Sequence, residues 1–402
     1  MRFSARSAAL GLVLLLTACG AEPAPQEPPR PVPVVQRVSS DVAALVAAAD
    51  AFGLDLLTAP TLADRPNLVV SPMSVSLVLQ MIGAGAASTT ADQIRAVLHL
   101  PDGVTPQLPA FDQEALKVSN AAWAQRGLDL KPAFRDTLRS RFRTTMHEAD
   151  FENDADGVRR RINQTVADQT AGKITDLFPP GTIDADSRLV LTNALYLKAA
   201  WASEFPRERT EDAPFTRADG STVTVPMMHN DPEVMLGYAE GPGYQAVTLP
   251  YRDGELAFTV IVPASPDALR GKGLAALLDE VQPAHVVLAM PRFTAGSAMD
   301  LRETLERAGM PAAFSESAAD FSGITDEQRL YLDSVQHKTF VRVDEEGTEA
   351  AAASGADAKA VSAPIPHTVT VDRPFVFVIT DTANGAPLLL GRIGDPTADV
   401  ED

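Results

Sequence analysis

One cysteine, Cys19, is all that the 402 residues contain. If processing sets it apart from the fold, no disulfide, thiol nucleophile or cysteine–metal centre remains available. Positive charge is also scarce, with 34 Lys and Arg against 53 Asp and Glu and a formal net charge of −19. Nucleic acid and heparin need a basic footprint, so neither is expected as a partner. The local clusters Arg139–Arg143 and Arg159–Arg161 read as solvated helix faces.

Catalytic motifs are missing too. The chain has no Gly-x-Ser-x-Gly elbow, no His-Glu-x-x-His and no phosphate loop. Its six histidines are scattered, none at helical metal-ligand spacing from another, so no metal or cofactor is expected. Gly83-Ala84-Gly85 lacks a third glycine and follows a helical pattern, which argues against a nucleotide site.

The one pronounced apolar run near the start, Ala8–Leu16, follows Arg2 and Arg6 and is too short to span a bilayer. It leads into Leu16-Thr17-Ala18-Cys19-Gly20, which resembles a bacterial lipobox. That resemblance implies a signal peptide over residues 1–18 and acylation of Cys19; the alternative is an ordinary signal peptide with an incidental cysteine. Residues 19–40 then form a tether, with six prolines between 21 and 33. Gly20 after the cysteine implies, by resemblance to Gram-negative sorting, an exported protein anchored at the outer membrane or cell surface, or one found extracellularly.

The globular region begins near Ser39–Asp41 with an Ala- and Leu-rich helix to about Leu57. A short strand, Asn67–Val70, runs into Ser71-Pro72, a cap and N1 proline that launch a helix through Ile82. Thr90-Ala-Asp-Gln93 has capping-box spacing for a helix to Leu98. Further helices are expected at Pro132–Arg143, Ala155–Ala171 and Met299–Ala308. Leu189–Ala200 is almost continuously apolar, as a strand covered on both faces should be. Strands are also expected at Gln245–Pro250, Leu256–Val262, Val286–Met290, Tyr331–Val343 and Val371–Asp381, with Asn384-Gly385 as a hairpin turn before Pro387–Ile393. Helices early, strands late and no βαβ alternation indicate an α+β fold.

Between two of those strands lies Asp344–Lys359, a run of small residues. At even positions from 348 it carries Thr348, Ala350, Ala352, Ser354, Ala356 and Ala358, while Glu349, Asp357 and Lys359 share the odd parity. In an extended strand alternate side chains face opposite ways, so one face is uniformly small and the other holds every charge. No proline interrupts residues 344–363. The pattern suits a segment able to enter a crowded sheet. A plain linker or an Ala-rich helix is the bland alternative.

Several motifs together resemble the serpins. Val371–Ile393 looks like their C-terminal signature, Asn67–Ser76 their second-helix entry, Leu191–Trp201 their central strand and Gln336–Phe340 its neighbour. Glu345-Glu-Gly-Thr-Glu-Ala-Ala-Ala-Ala353 looks like their loop hinge, comprising Glu345, Gly347, Thr348, Glu349, Ala350, Ala351, Ala352 and Ala353. The resemblance implies three β-sheets, about nine helices, a monomeric domain over residues 41–397 and an exposed reactive-centre loop over about 344–371. It implies no enzyme. The expected function is suicide inhibition of extracellular serine proteases by acyl-enzyme trapping and loop insertion; a non-inhibitory surface binding module is the alternative. Gly347 is read as a flexible pivot.

Spacing from the hinge glutamate in inhibitory members implies Val361–Ser362 as the reactive bond, with Lys359 as the rival. A small β-branched residue suits elastase-like or subtilisin-like enzymes, and would leave a trypsin pocket's aspartate unpaired. By the same resemblance Ser71, Ser74, Asn193 and His337 form a buried polar cluster beneath the sheet, and Trp201 marks where the hinge enters. His337 shares parity with Val335, Val341 and Val343 and should face inward.

Overall fold

The computed structural model describes residues 40–104, 115–144, 146–263, 266–327, 329–348 and 366–400. The lipobox cysteine Cys19, hinge residues Glu349 and Ala350 to Ala353, and the bond at Val361–Ser362 with its rival Lys359 lie outside them.

Eight α-helices are present among the described residues, in the order α1 (Ser40–Leu57), α2 (Pro72–Gly83), α3 (Ser88–Val97), α4 (Pro132–Phe142), α5 (Phe151–Gln169), α6 (Pro266–Lys272), α7 (Leu274–Leu278) and α8 (Arg302–Ala308). Strands dominate the rest: β1 (Asn67–Val70), β2 (Leu116–Gln125), β3 (Met146–Ala149), β4 (Leu189–Leu197), β5 (Ala199–Ala200), β6 (Glu211–Thr216), β7 (Thr222–His229), β8 (Met235–Gly241) and β9 (Tyr244–Pro250) come first. They continue with β10 (Leu256–Val262), β11 (Gln282–Pro291), β12 (Phe293–Asp300), β13 (Gln336–Val343), β14 (Gly347–Thr348), β15 (His367–Thr370), β16 (Phe375–Asp381) and β17 (Pro387–Ile393).

The strands form three sheets. The first runs β3-β2-β4-β13-β12, with β4 and β13 parallel at its centre. The second runs β1-β17-β16-β10-β9-β8 and ends on the N-terminal half of β11. The C-terminal half of β11 pairs with β7 and β15 in the third, which closes on edge strand β6.

Burial follows the expected periods. In β13 the odd residues are inside and the even ones partly open, while β4 is buried along nearly its whole length. α2 is buried on every face from Pro72 to Ile82, as a helix packed between layers must be. One core joins α1, α2 and α3 to the underside of the first sheet. A second, rich in Phe, fills the space around Trp201, Tyr251, Phe258, Phe375 and Phe377.

Several local expectations change. Thr90 and Gln93 do not make a capping box: α3 starts at Ser88, and the Thr90 hydroxyl and Gln93 amide oxygen instead accept from the backbone N–H groups of Asp320 and Ala312. A tertiary partner with an orphan donor outcompetes the local cap. Ser71 occupies the N-cap of α2 but its side chain makes no cap bond. The span Met299–Ala308 starts as the end of β12 and becomes helical only at Arg302. Pro374 divides Val371–Asp381, leaving β16 to begin at Phe375. Arg159 is not on a solvated face, since its side chain is 11 % exposed and bonded to Asp156 and the Phe178 carbonyl.

Candidate functional site: a forked central sheet

β4 and β13 pair from Thr192–Gln336 to Tyr196–Phe340 and then diverge. Into the fork comes β14. After Val343 the chain reverses through a turn in which Asp344 and Gly347 exchange backbone hydrogen bonds, 2.9 and 3.3 Å long. Thr348 then pairs with Val343 on one side and Ala199 on the other, and Gly347 pairs with Ala200. The segment expected to form the loop hinge therefore has its first two paired residues, Gly347 and Thr348, inside the sheet.

Trp201 holds the turn. Its backbone N–H donates to the Glu346 carbonyl at 3.0 Å, and its indole Nε1–H to the Asp344 carbonyl at 2.9 Å. The Phe205 N–H takes the Glu345 carbonyl at 2.9 Å. Each carboxylate of the turn meets an arginine: Asp344 meets Arg342 at 3.3 Å, Glu345 meets Arg292, and Glu346 meets Arg207. Only Glu345 is deeply buried, with 3 % of its side chain exposed. Burial alone would raise its carboxyl, but hydrogen bonds from Arg292, its own backbone and Thr210 hold it below the usual range.

Gly347 is no simple pivot. Its φ is +151°, and a Cβ there would stand 2.2 Å from the Ala199 carbonyl oxygen and 2.7 Å from the Ala200 Cα. Glycine is required because two backbones meet. Thr348 is fully buried, and its hydroxyl shares a 2.7 Å hydrogen bond with the Tyr251 phenol. The inward direction of Thr348 sets the parity for a strand continuing beyond it.

Below the fork, the structure brings Ser71, Asn193 and His337 together. His337 Nε2 accepts from the Ser71 backbone N–H at 3.0 Å, and Nδ1 lies 3.1 Å from Asn193 Oδ1. An accepting Nε2 places the proton on Nδ1 and makes the ring neutral. Burial pushes the imidazole down to about 4. Ser71 thus acts through its main chain; its hydroxyl has no hydrogen-bond partner among the described residues. Ser74 is buried nearby on α2. β1 is tied beneath the same sheet, Thr339 Oγ1 donating to the Val69 carbonyl at 2.8 Å and the Val69 N–H to Ser297 Oγ at 3.0 Å.

Tyr251, Arg292, Thr210 and Ser297 were not legible as site residues. Arg292 gave no signal, because an arginine that reaches solvent between Pro291 and Phe293 needs no buried partner. Tyr251 gave none either.

The family profile described as serpin, serine protease inhibitor, matches residues 47–396. A leukocyte elastase inhibitor A of Mus musculus is 30 % identical over 354 residues, covering 82 % of this chain and 93 % of the relative. An uncharacterized serpin-like protein of Thermococcus kodakarensis is 33 % identical over 352 residues, covering 82 % and 81 %. The crystal structure of a thermophilic serpin, tengpin, in the native state superposes with a TM-score of 0.78 at 24 % identity, over 90 % of this chain and 96 % of that one. The chain belongs to the serpin family. It is thereby a member of a protease-inhibitor family and not of an enzyme family, and serine proteases are its partner class.

Proposed function

We propose that the chain is a suicide-type inhibitor of extracellular serine proteases with elastase-like specificity, held at the bacterial surface by a lipid on Cys19. The observation that carries the inhibitory reading is the hinge in the fork, paired on both edges with Thr348 inward. A protease serine attacking the Val361 carbonyl forms an ester and expels the Ser362 amine. The freed arm then extends β14 downward, its even residues inward and small, its backbone pairing with β4 and β13. Deacylation is beaten by moving the protease away from its aligned site.

Elastase-like preference is supported by Val361 and by the mouse relative's name as a leukocyte elastase inhibitor. Surface anchoring is supported by the lipobox spacing and the proline-rich stretch after it. The test is to mix the chain with pancreatic elastase, subtilisin and trypsin, run denaturing gels and map the cut by mass spectrometry. A gel-stable elastase complex cut after Val361 is expected. Complete cleavage without a complex overturns inhibition in favour of a binding module, and a complex only with trypsin after Lys359 overturns the specificity. Labelled palmitate should enter the wild type and not Cys19→Ser.

A further inference from the structure

The hinge meets one side chain that neither the salt-bridge network nor the polar cluster below explains. Tyr251 follows β9, is 2 % exposed, and lies flat on Trp201 with ring centroids 4.7 Å apart and an interplanar angle of 12°. A β-bridge also ties its backbone to Trp201, whose indole and amide grip the turn carbonyls. The ring is fixed on two sides, so its hydroxyl has a fixed position. Its hydrogen bond to Thr348 is the one it makes among the described residues. Burial pushes the phenol further up, so it stays protonated at every working pH.

We propose that Tyr251 is the positioning residue that docks Thr348 in the fork before any protease arrives, and so sets the register in which the loop enters the sheet. Withdrawing the hinge would take Thr348 to water but leave the Tyr251 hydroxyl buried without a partner, which disfavours the undocked state. Docking Thr348 also decides parity: a slip of one residue would turn Glu349 inward beneath the sheet. Because the bond is present before cleavage and the same pocket serves Thr348 afterwards, it cannot add to the driving force of insertion. Its effect is on the start. With the first pair made, the arm adds residues to an existing strand end and need not find the fork by diffusion. The kinetic part of this inference rests on the inhibitory reading above.

Two measurements test it on the full chain. Hydrogen exchange of the segment Asp344–Thr348 reads docking with no protease present. Tyr251→Phe and Thr348→Val should each accelerate that exchange about tenfold, the loss of one net hydrogen bond. The double variant removes both polar groups together, so it should exchange more slowly than either single variant. The second measurement is the number of inhibitor molecules consumed per elastase trapped. That number should rise several-fold in Tyr251→Phe, while the rate of initial cleavage does not fall. Unchanged exchange in the single variants, or simply additive effects in the double, overturns the docking role. If the wild type traps no protease, the exchange result still stands alone and the inhibitory reading is what fails. If exchange changes as expected but trapping does not, Tyr251 docks the hinge without setting insertion, and the register part of the inference is overturned.

Discussion

His337 and Asn193 stand opposite each other in register on β13 and β4, with Nδ1 and Oδ1 3.1 Å apart. A strand entering between them would move their backbones from about 5 Å to about 10 Å apart. Side chains that stand off the sheet face, as these do, do not bridge that gap in their present rotamers. The pair is therefore made in the closed sheet and broken in the expanded one, a difference that favours the closed state. His337→Ala should lower native stability by about 1–3 kcal/mol, the cost of unsatisfied buried partners. The same change should speed conversion to the inserted form on warming, seen as a rise in urea resistance with time. Slower conversion would place the pair on the wrong side of the equilibrium.

Acidity acts on the same residue. Its folded-state value is depressed from 6.5 to about 4, so its contribution to stability is full above the first value and lost as pH falls through the second. The loss amounts to about 3 kcal/mol. Subtracting wild-type unfolding free energies from those of His337→Gln at each pH cancels other titrating groups. The difference should shrink on going from pH 7 to pH 4; a constant difference rejects a buried neutral imidazole.

Asp50, on α1 facing α7, runs the other way. The Ala275 backbone N–H approaches its carboxylate but is too poorly placed for a full hydrogen bond, and burial pushes the acid from 3.8 up to about 8 against that weaker pull. A raised carboxyl gives stability that is full below the lower value and lost as pH rises through the upper one. The slope is about 1.4 kcal/mol per pH unit. Between about pH 4 and 6.5 it opposes the slope of His337, and above that range it acts alone. Asp50→Asn should gain on the wild type steadily up to pH 8 in urea midpoints. A gain independent of pH would mean that Asp50 is ionised throughout.

Much of this architecture could be read in advance because it depends on period. The unbroken apolar run of β4, the odd-parity burial of His337 in β13 and the inward side of Thr348 in β14 each follow from side chains alternating along a strand. The elements that escaped depend on partners distant in sequence. Thr90 and Gln93 carry perfect local capping spacing yet serve Asp320 and Ala312. Tyr251 is one tyrosine among five until Thr348, 97 positions later, arrives beside it. The docked hinge was equally hidden, because a run of Gly, Thr and Ala carries no signal for whether its first residues lie in the sheet or in solvent.

Gly347→Ala puts a methyl group into the backbone of Ala199 and strains a left-handed φ. The hinge must leave the fork, at a cost of about 1–3 kcal/mol. Stability should fall by that amount, and most elastase encounters should end in cleaved inhibitor and free enzyme. Undiminished trapping by this variant would show that the fork need not hold glycine.

Glu345 has a buried carboxylate whose partner Arg292 keeps 42 % of its side chain exposed. Removing the acid leaves Arg292 solvated, so the cost is moderate. Glu345→Ala should lose about 1–3 kcal/mol. The larger effect is on association. Without the carboxylate the turn loses Arg292 and Thr210 together, and the edges of β5 and β13 open to another chain's strand. Native gels after mild heating should show ladders of oligomers for this variant and a single band for the wild type. Equal behaviour of the two would mean that Trp201 alone closes the fork.

Specificity is separable from all of this. Val361 lies thirteen residues beyond Thr348, so on the proposed assignment of the reactive bond a change there alters what the protease meets without touching Thr348 or the polar cluster. Val361→Arg supplies the cation that a trypsin-type pocket requires, and should move trapping from elastase to trypsin by a factor of about 100 or more. The inserted arm keeps its length, so complexes should remain stable on denaturing gels. A variant that trypsin cuts after Lys359, with elastase still trapped by the wild type, would place the working bond of the two enzymes at different residues. Trapping of elastase undiminished by the arginine would remove Val361 from the reactive bond altogether.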